Sequence, residues 1–292
     1  MRNDNIRGIA MMIASMAFFA IEDLFLKFLG PVMPPHQILF FVGYGGALVF
    51  AIWAISIRTP LFNAETFDRL ILIRIVCDFF GAAFFILAIV SIPLSSLAAI
   101  IQAIPLFVTV GAVLFLNERV GIRRWAAILI GFGGVLLIVR PGAADFQIGM
   151  IYAVISVAML ALRDMLMRVI KTTLHSASFG FYGFFAMGSA GVLIWPFSGH
   201  MVQPATLQWI YIFVAVITAV LGYFAIIIST RIAEASTVAP YRYTRLIFST
   251  LLAMAFLGER PDLMTLVGSA IVIASGLYTF WRERLRSEDD IS

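Results

Sequence analysis

Phe115-Leu116-Asn117-Glu118-Arg119 and Phe256-Leu257-Gly258-Glu259-Arg260 are one phrase written twice, 141 positions apart. The same offset carries Asp23 onto Asp164 and Lys27 onto Arg168. That period is nearly half of the 292 residues, so the chain reads as a duplication. Each copy is a run of apolar segments. If each holds an odd number of crossings, the second copy enters the membrane in the opposite sense, which is the architecture of secondary transporters.

Composition names the solvent. Hydrophobic residues make up 62% and charged residues 12% of the chain, and the mean hydropathy is +1.02. A soluble globule of this size could not cover its surface with so little polarity. The single cysteine, Cys77, lies in an apolar stretch and leaves no internal disulfide to form. A pI near 9.5 does not mean nucleic acid, because the basic residues sit in short clusters between apolar segments and form no stripe interleaved with aromatics.

A spanning helix needs about 20 mostly apolar residues. Ten such segments can be marked: Ile6 to Leu29, Gln37 to Ile57, Leu70 to Val90, Ser95 to Leu116, Ile122 to Val139, Ile148 to Arg168, Ser176 to Phe197, Gln208 to Thr230, Ser236 to Leu257 and Leu263 to Trp281. Turn chemistry separates them, as at Gly30 to Pro35, Arg58 to Pro60, Arg140 to Gly142 and Gly258 to Pro261. The fold class expected is therefore all-α and integral to the membrane, ten transmembrane helices as two inverted five-helix repeats. Residues 1–141 form the first repeat, 142–282 the second and 283–292 a short charged tail.

Counting basic residues in alternate loops orients the chain. One side collects Arg2, Arg7, Arg58, Arg69, Arg119, Arg123, Arg124, Arg168, Lys171, Arg231, Arg282, Arg284 and Arg286, and the other only Arg140 and Arg260. The rich side is expected to be cytoplasmic, with both termini there. The first segment carries Glu22 and Asp23 and no A-x-A pattern after a short apolar core, so it reads as a retained helix and not a signal peptide. The two Glu-Arg loop motifs are expected to cap a helix end and pair with neighbouring charge.

Nine ionisable residues remain inside the segments: Glu22, Asp23, Lys27, Arg74, Asp78, Arg163, Asp164, Arg242 and Arg245. Each costs about 2.5 to 3.5 kcal/mol at a helix centre, so they must face protein or water. Lys27 and Arg74 lie near helix ends and are expected to snorkel to the interface. Arg74 and Asp78, four apart, share a face; Glu22 and Asp23, adjacent, do not. Asp164 and Arg242 lie at similar depth and can pair, as a structural clamp or as a gate. In Pro240-Tyr241-Arg242-Tyr243-Thr244-Arg245 the proline frees carbonyls just where cations and aromatics gather. Gln102 is the counterpart of Tyr243 in the uncharged fourth segment. The residues expected to bind substrate or gate its path are Asp23, Asp78, Gln102, Arg163, Asp164, Tyr241, Arg242 and Tyr243.

Small residues, Gly131, Gly133 and Gly134 in the fifth segment and Gly268, Ser269, Ser275 and Gly276 in the tenth, permit close helix approach, in a scaffold or a homodimer face. The chain has no Walker A lysine motif and no His/Cys cluster, only His36, His175 and His200. No nucleophile with a base stands out. No metal, cofactor, nucleic-acid partner or enzymatic activity is expected; the expected partners are a small-molecule substrate and the lipid bilayer.

On FLNER and FLGER ending the fourth segment of each copy, the glycine-rich GFGGVLLIVRP of the fifth, and ten segments over essentially the whole chain, the sequence resembles the EamA branch of the drug/metabolite transporter superfamily. The resemblance implies a bacterial inner-membrane carrier with a central cavity lined mainly by helices one, three, four, six, eight and nine, alternating between inward-open and outward-open states. APYRYTRLIF followed by FLGERPD is similar to members that import riboflavin or S-adenosylmethionine. Riboflavin uptake is the leading expectation, S-adenosylmethionine uptake the runner-up, and export of amino acids or drugs a third.

Overall fold

The computed structural model describes residues 2–116, 121–143 and 146–289, without the side chains of residues 2, 3, 235, 236 and 282–289. Glu118 and Arg119 of the first loop motif lie outside the described residues. The elements, in order, are α1 (Arg2–Leu29), α2 (Pro35–Ser56), α3 (Arg69–Ser91), α4 (Leu94–Ile101), α5 (Ile104–Leu116), α6 (Ile122–Val139), α7 (Ile148–Val169), α8 (Ser176–Ser198), α9 (Thr206–Ile232), α10 (Ala235–Val238), α11 (Thr244–Leu257) and α12 (Leu263–Asp289), with 3₁₀ turns at Ala64–Phe67 and Ala239–Tyr243. The described residues contain no strand.

Nine stretches among the described residues are long and apolar enough to cross a membrane, α4 and α5 together counting as one. Helix is the form expected of such sequence in lipid, since it satisfies every backbone group internally. The segment 236–257, marked above as one helix, is in fact three pieces: α10, a 3₁₀ turn and α11. Pro240 sits in that turn, where its missing N–H suits the break. Its counterpart breaks too, at Gln102 and Ala103, just before Pro105.

Four helix pairs form the body of the bundle: α1 with α9, α3 with α7, α2 with α8, and α6 with α12. Glycine sets the last crossing. A Cβ on Gly134 would lie 2.8 Å from the Gly268 carbonyl oxygen, and one on Gly268 would lie 2.7 Å from that of Gly134. These glycines are thus spent on a contact within the chain and not on a face left for a second copy. Ser15 Oγ donates to the Gly222 carbonyl at 2.7 Å, and Ser156 Oγ to that of Gly81 at 2.9 Å. Each of these two contacts is the other shifted by 141 positions.

Charged side chains finish the helix ends. Glu259 accepts from Leu94 N at 2.7 Å, Ser95 N at 3.0 Å and Ser95 Oγ at 2.8 Å, placing a carboxylate where the free N–H groups of α4 point. This is the capping expected of the second loop motif, and Gly258, in the left-handed conformation at φ 67°, turns the chain toward it. Lys27 Nζ donates to the carbonyls of Ile89 at 2.9 Å and Ile92 at 2.6 Å, closing the C-terminus of α3. The expected snorkelling is replaced by a cap. At the basic end, Glu65 takes hydrogen bonds from Thr172 and Thr173, which hold its carboxyl below the usual carboxylate range.

Candidate functional site

α3 and α7 bring one continuous chain of alternating charge into the bundle. Arg74 and Asp78, one turn apart on α3, pair at 3.1 Å with both side chains about 5% exposed. Arg74 therefore stays inside, its guanidinium 4.7 Å from the Phe179 ring, instead of reaching the interface. From α7, Arg163 reaches Asp78 at 3.4 Å and its own neighbour Asp164 at 2.8 Å. The last link is Arg242 in the 3₁₀ turn, 3.7 Å from Asp164. Each carboxylate thus has two cationic partners, and the pair together engages three arginines.

Exposure rises along this chain. Asp78 is buried, Arg163 and Asp164 are 26% and 23% exposed, and Arg242 is 39% exposed. Charge open to lipid would oppose insertion, so the exposed end is the part of the network that must meet protein or water. Tyr223 of α9 borders the network, since its hydroxyl lies in the field of Arg74, Asp78, Arg163 and Asp164. Behind it stands an aromatic wall: Phe50 against Tyr223 at 5.2 Å, and stacked on Phe184 and Phe224 at 5.5 Å each. Phe50 is fully buried at the centre of this wall, which leaves the part-exposed rings of Tyr223, Phe184 and Phe224 near charge of both signs, a combination suited to a zwitterionic ligand that carries a ring.

A second ion pair stands apart. Arg245 of α11 donates to Asp23 of α1 at 2.7 Å and 2.9 Å through one nitrogen and at 3.1 Å through Nε. Asp23 is almost fully buried, and the guanidinium lies 5.3 Å from the Phe19 ring and 5.8 Å from that of Phe85. Arg242 and Arg245, three apart, do not serve one partner but hold Asp164 and Asp23, the two aspartates related by the 141-residue offset.

The other expected site residues fall elsewhere. Gln102 Nε2 donates to the Tyr243 carbonyl at 3.2 Å, so these repeat mates meet, but both side chains are buried in packing. The Tyr243 hydroxyl is pressed against Gly276 of α12. Tyr241 packs with Met12, Met16 and Val238. Arg74, Arg245 and Glu22 were legible as intramembrane ionisable groups but did not stand among the expected site residues; the spacing of Arg74 and Asp78, one turn apart, was the usable signal. A separate cavity of about 110 Å³ lies at the far end of the bundle, between Pro93, Ser96, Arg140, Gln147 and Asp262. It is of a size for a few waters. Arg140 and Asp262 pair beside it.

Residues 6–140 and 147–281 each match the EamA-like transporter family. The chain is 26% identical over 280 residues to the S-adenosylmethionine uptake transporter of Rickettsia bellii, covering 95% of this chain and 94% of that one. It is 26% identical to the riboflavin transporter of Vibrio cholerae, covering 81% and 78%, and 23% identical to the pseudopaline exporter CntI of Pseudomonas aeruginosa, covering 92% and 94%. A chain of known crystal structure superposes with a TM-score of 0.63 at 16% identity, covering 93% of this chain and 98% of that one, a likeness of fold. With the family matched twice along a chain of apolar helices, this is a multi-pass membrane protein belonging to the EamA-like transporter family.

Proposed function

We propose that the chain is a secondary carrier that moves a small zwitterionic metabolite bearing an aromatic ring, of the S-adenosylmethionine class, across the bacterial inner membrane. The observation that carries this reading is the alternating network Arg74–Asp78–Arg163–Asp164–Arg242, exposed at its Arg242 end and bordered by the Tyr223 aromatic wall. A carboxylate suits Arg242 and Arg163, a sulfonium or ammonium suits Asp164, and an adenine suits the aromatic face. The relatives named for S-adenosylmethionine uptake match over nearly the whole chain. Riboflavin, the leading expectation from sequence, becomes the second reading, supported by the same aromatic wall and by the Vibrio relative. A neutral ring system leaves the charged network without a direct use. The solute crosses unchanged, so the reading is transport and not catalysis.

The architecture that fits this function is ten transmembrane segments in two inverted repeats, residues 1–141 and 142–282, with 283–292 as a cytoplasmic tail and both termini cytoplasmic. The broken segment 235–257 supplies the tenth crossing. Support for the inversion comes from reciprocity: the Ser15 to Gly222 and Ser156 to Gly81 hydrogen bonds exchange when the halves are swapped, as they do about a two-fold axis. An odd number of crossings per half then lays that axis in the membrane plane.

The test is uptake of labelled S-adenosylmethionine, with labelled riboflavin in parallel, by vesicles containing the purified protein. Saturable S-adenosylmethionine movement that excess riboflavin does not compete away is the expected result. Saturable riboflavin movement alone would select the second reading, and movement of neither would overturn both.

A further inference from the structure

We propose that Glu22 is the proton-binding carboxyl of this carrier, an inference that rests on the carrier reading above. Glu22 stands seven residues before the end of α1 at Leu29, roughly 10 Å inside that end at 1.5 Å per residue. Its face is set by helix geometry: Ser15 lies seven residues before it, Leu26 four after and Leu29 seven after, and all three are fully buried. Ser15 is the residue bonded to Gly222 of α9, so Glu22 points toward protein and not toward lipid. It is nevertheless half-buried and not sealed.

Among the described residues, no hydrogen bond or ion pair reaches its carboxylate. The other intramembrane carboxylates differ in this respect. Asp23 is held by Arg245, Asp78 by Arg74 and Arg163, and Asp164 by Arg163 and Arg242. An unpaired carboxylate in a dry interior must be neutral or hydrated.

The charged groups that act on Glu22 are Asp23 on its own helix and Arg245 from α11. Arg245 is already committed to Asp23 through three contacts. Lys27, also on α1, is bound to the carbonyls closing α3. On the elements packed against α1, the remaining titratable groups are engaged or distant in role. Arg74 and Asp78 of α3 and Arg242 of the 3₁₀ turn belong to the network, Tyr241 and Tyr243 of that turn are packed, and Cys77 of α3 is buried. Arg69 stands at the first position of α3. On α9, Tyr211 packs on Phe25 and Phe28, Tyr223 borders the network and Arg231 bonds Ser176. α4 and α10 carry no titratable side chain. When Glu22 is open to water on one side of the membrane, its carboxylate takes one proton from that water to give the neutral acid; when it is open to the other side, the acid returns that proton to the water there. Coupling follows if the bundle changes conformation only with the acid neutral or with substrate bound.

The test has two arms. In the purified protein without substrate, infrared difference spectra between neutral and alkaline pH should show the carbonyl stretch of a protonated carboxylic acid, absent in Glu22→Gln and retained in shifted form in Glu22→Asp. Its persistence in Glu22→Gln, or its absence from the unaltered protein, overturns the proposal. In vesicles, a pH difference of one unit should drive accumulation of labelled S-adenosylmethionine up to about tenfold for one proton per solute. Glu22→Gln should then equilibrate the solute without accumulating it while counterflow exchange persists; accumulation at the original ratio in Glu22→Gln overturns the proposal. Should neither labelled solute move, the substrate reading fails while the infrared arm still decides Glu22.

Discussion

Arg245 and Arg242 stand three residues apart, yet neutralising them should have opposite consequences. Arg245→Gln strips the partner from Asp23, whose side chain is only 3% exposed. A buried charge left without its counter-ion costs about 3–5 kcal/mol. Arg242→Gln takes away a contact of 3.7 Å from Asp164, which is 23% exposed and keeps Arg163 at 2.8 Å. That loss belongs with solvent-reachable ion pairs, at about 0–1 kcal/mol. Thermal unfolding of the purified protein in detergent should therefore separate the two variants by at least about 2 kcal/mol, with Arg245→Gln the weaker. The double variant Asp23→Leu/Arg245→Leu should recover most of that loss, because an apolar pair leaves no stranded charge. Transport should reverse the order of damage: Arg242→Gln, well folded, should lose saturable uptake if its guanidinium meets the solute. Equal destabilisation by the two arginine variants, or a double variant no more stable than Arg245→Leu alone, would refute the assignment of Asp23–Arg245 as the structural pair.

Three further outcomes are expected. Gly276→Ala would drive a methyl into the buried Tyr243 hydroxyl and cost about 1–3 kcal/mol, whereas Gly133→Ala, with nothing within 4 Å of the new Cβ, should be neutral or mildly stabilising; unfolding midpoints compare them directly. Glu259→Gln should cost about 0.5–2 kcal/mol by weakening the cap on α4, read as faster amide exchange at Leu94 and Ser95. The guanidinium of Arg140 holds the Asp262 carboxyl below its ordinary value of 3.8. A depressed value means that the stabilisation is present above about pH 4 and lost as pH falls through the folded value. The pair is partly solvent-exposed, so the loss stays under about 1 kcal/mol; Arg140→Ala should flatten the acid limb of a plot of unfolding temperature against pH.

The duplicated loop phrase made the helical, membrane-spanning, twice-repeated chain legible, because apolar length and a fixed offset survive without any knowledge of contacts. The same offset foretold that Gln102 and Tyr243 are equivalent, and the structure brings them together at 3.2 Å, but as packing and not as an open lining. Spacing also foretold the Arg74–Asp78 pair, since one turn of helix is a local rule. The failures come where spacing stops deciding. Arg242 and Arg245 are three apart and read together, but spacing along the backbone does not fix a common partner. The chain passes from a 3₁₀ turn that ends at Tyr243 into α-helix at Thr244, and residues three apart stay within about 60° of one another in either form. The two side chains nevertheless part: one guanidinium reaches Asp164 of α7 at 3.7 Å and the other Asp23 of α1 at 2.7 Å. An arginine side chain is long enough to run from a shared face to either of two neighbouring helices, and no local rule of spacing says which. One short broken stretch within the bundle thus serves both repeat-related aspartates.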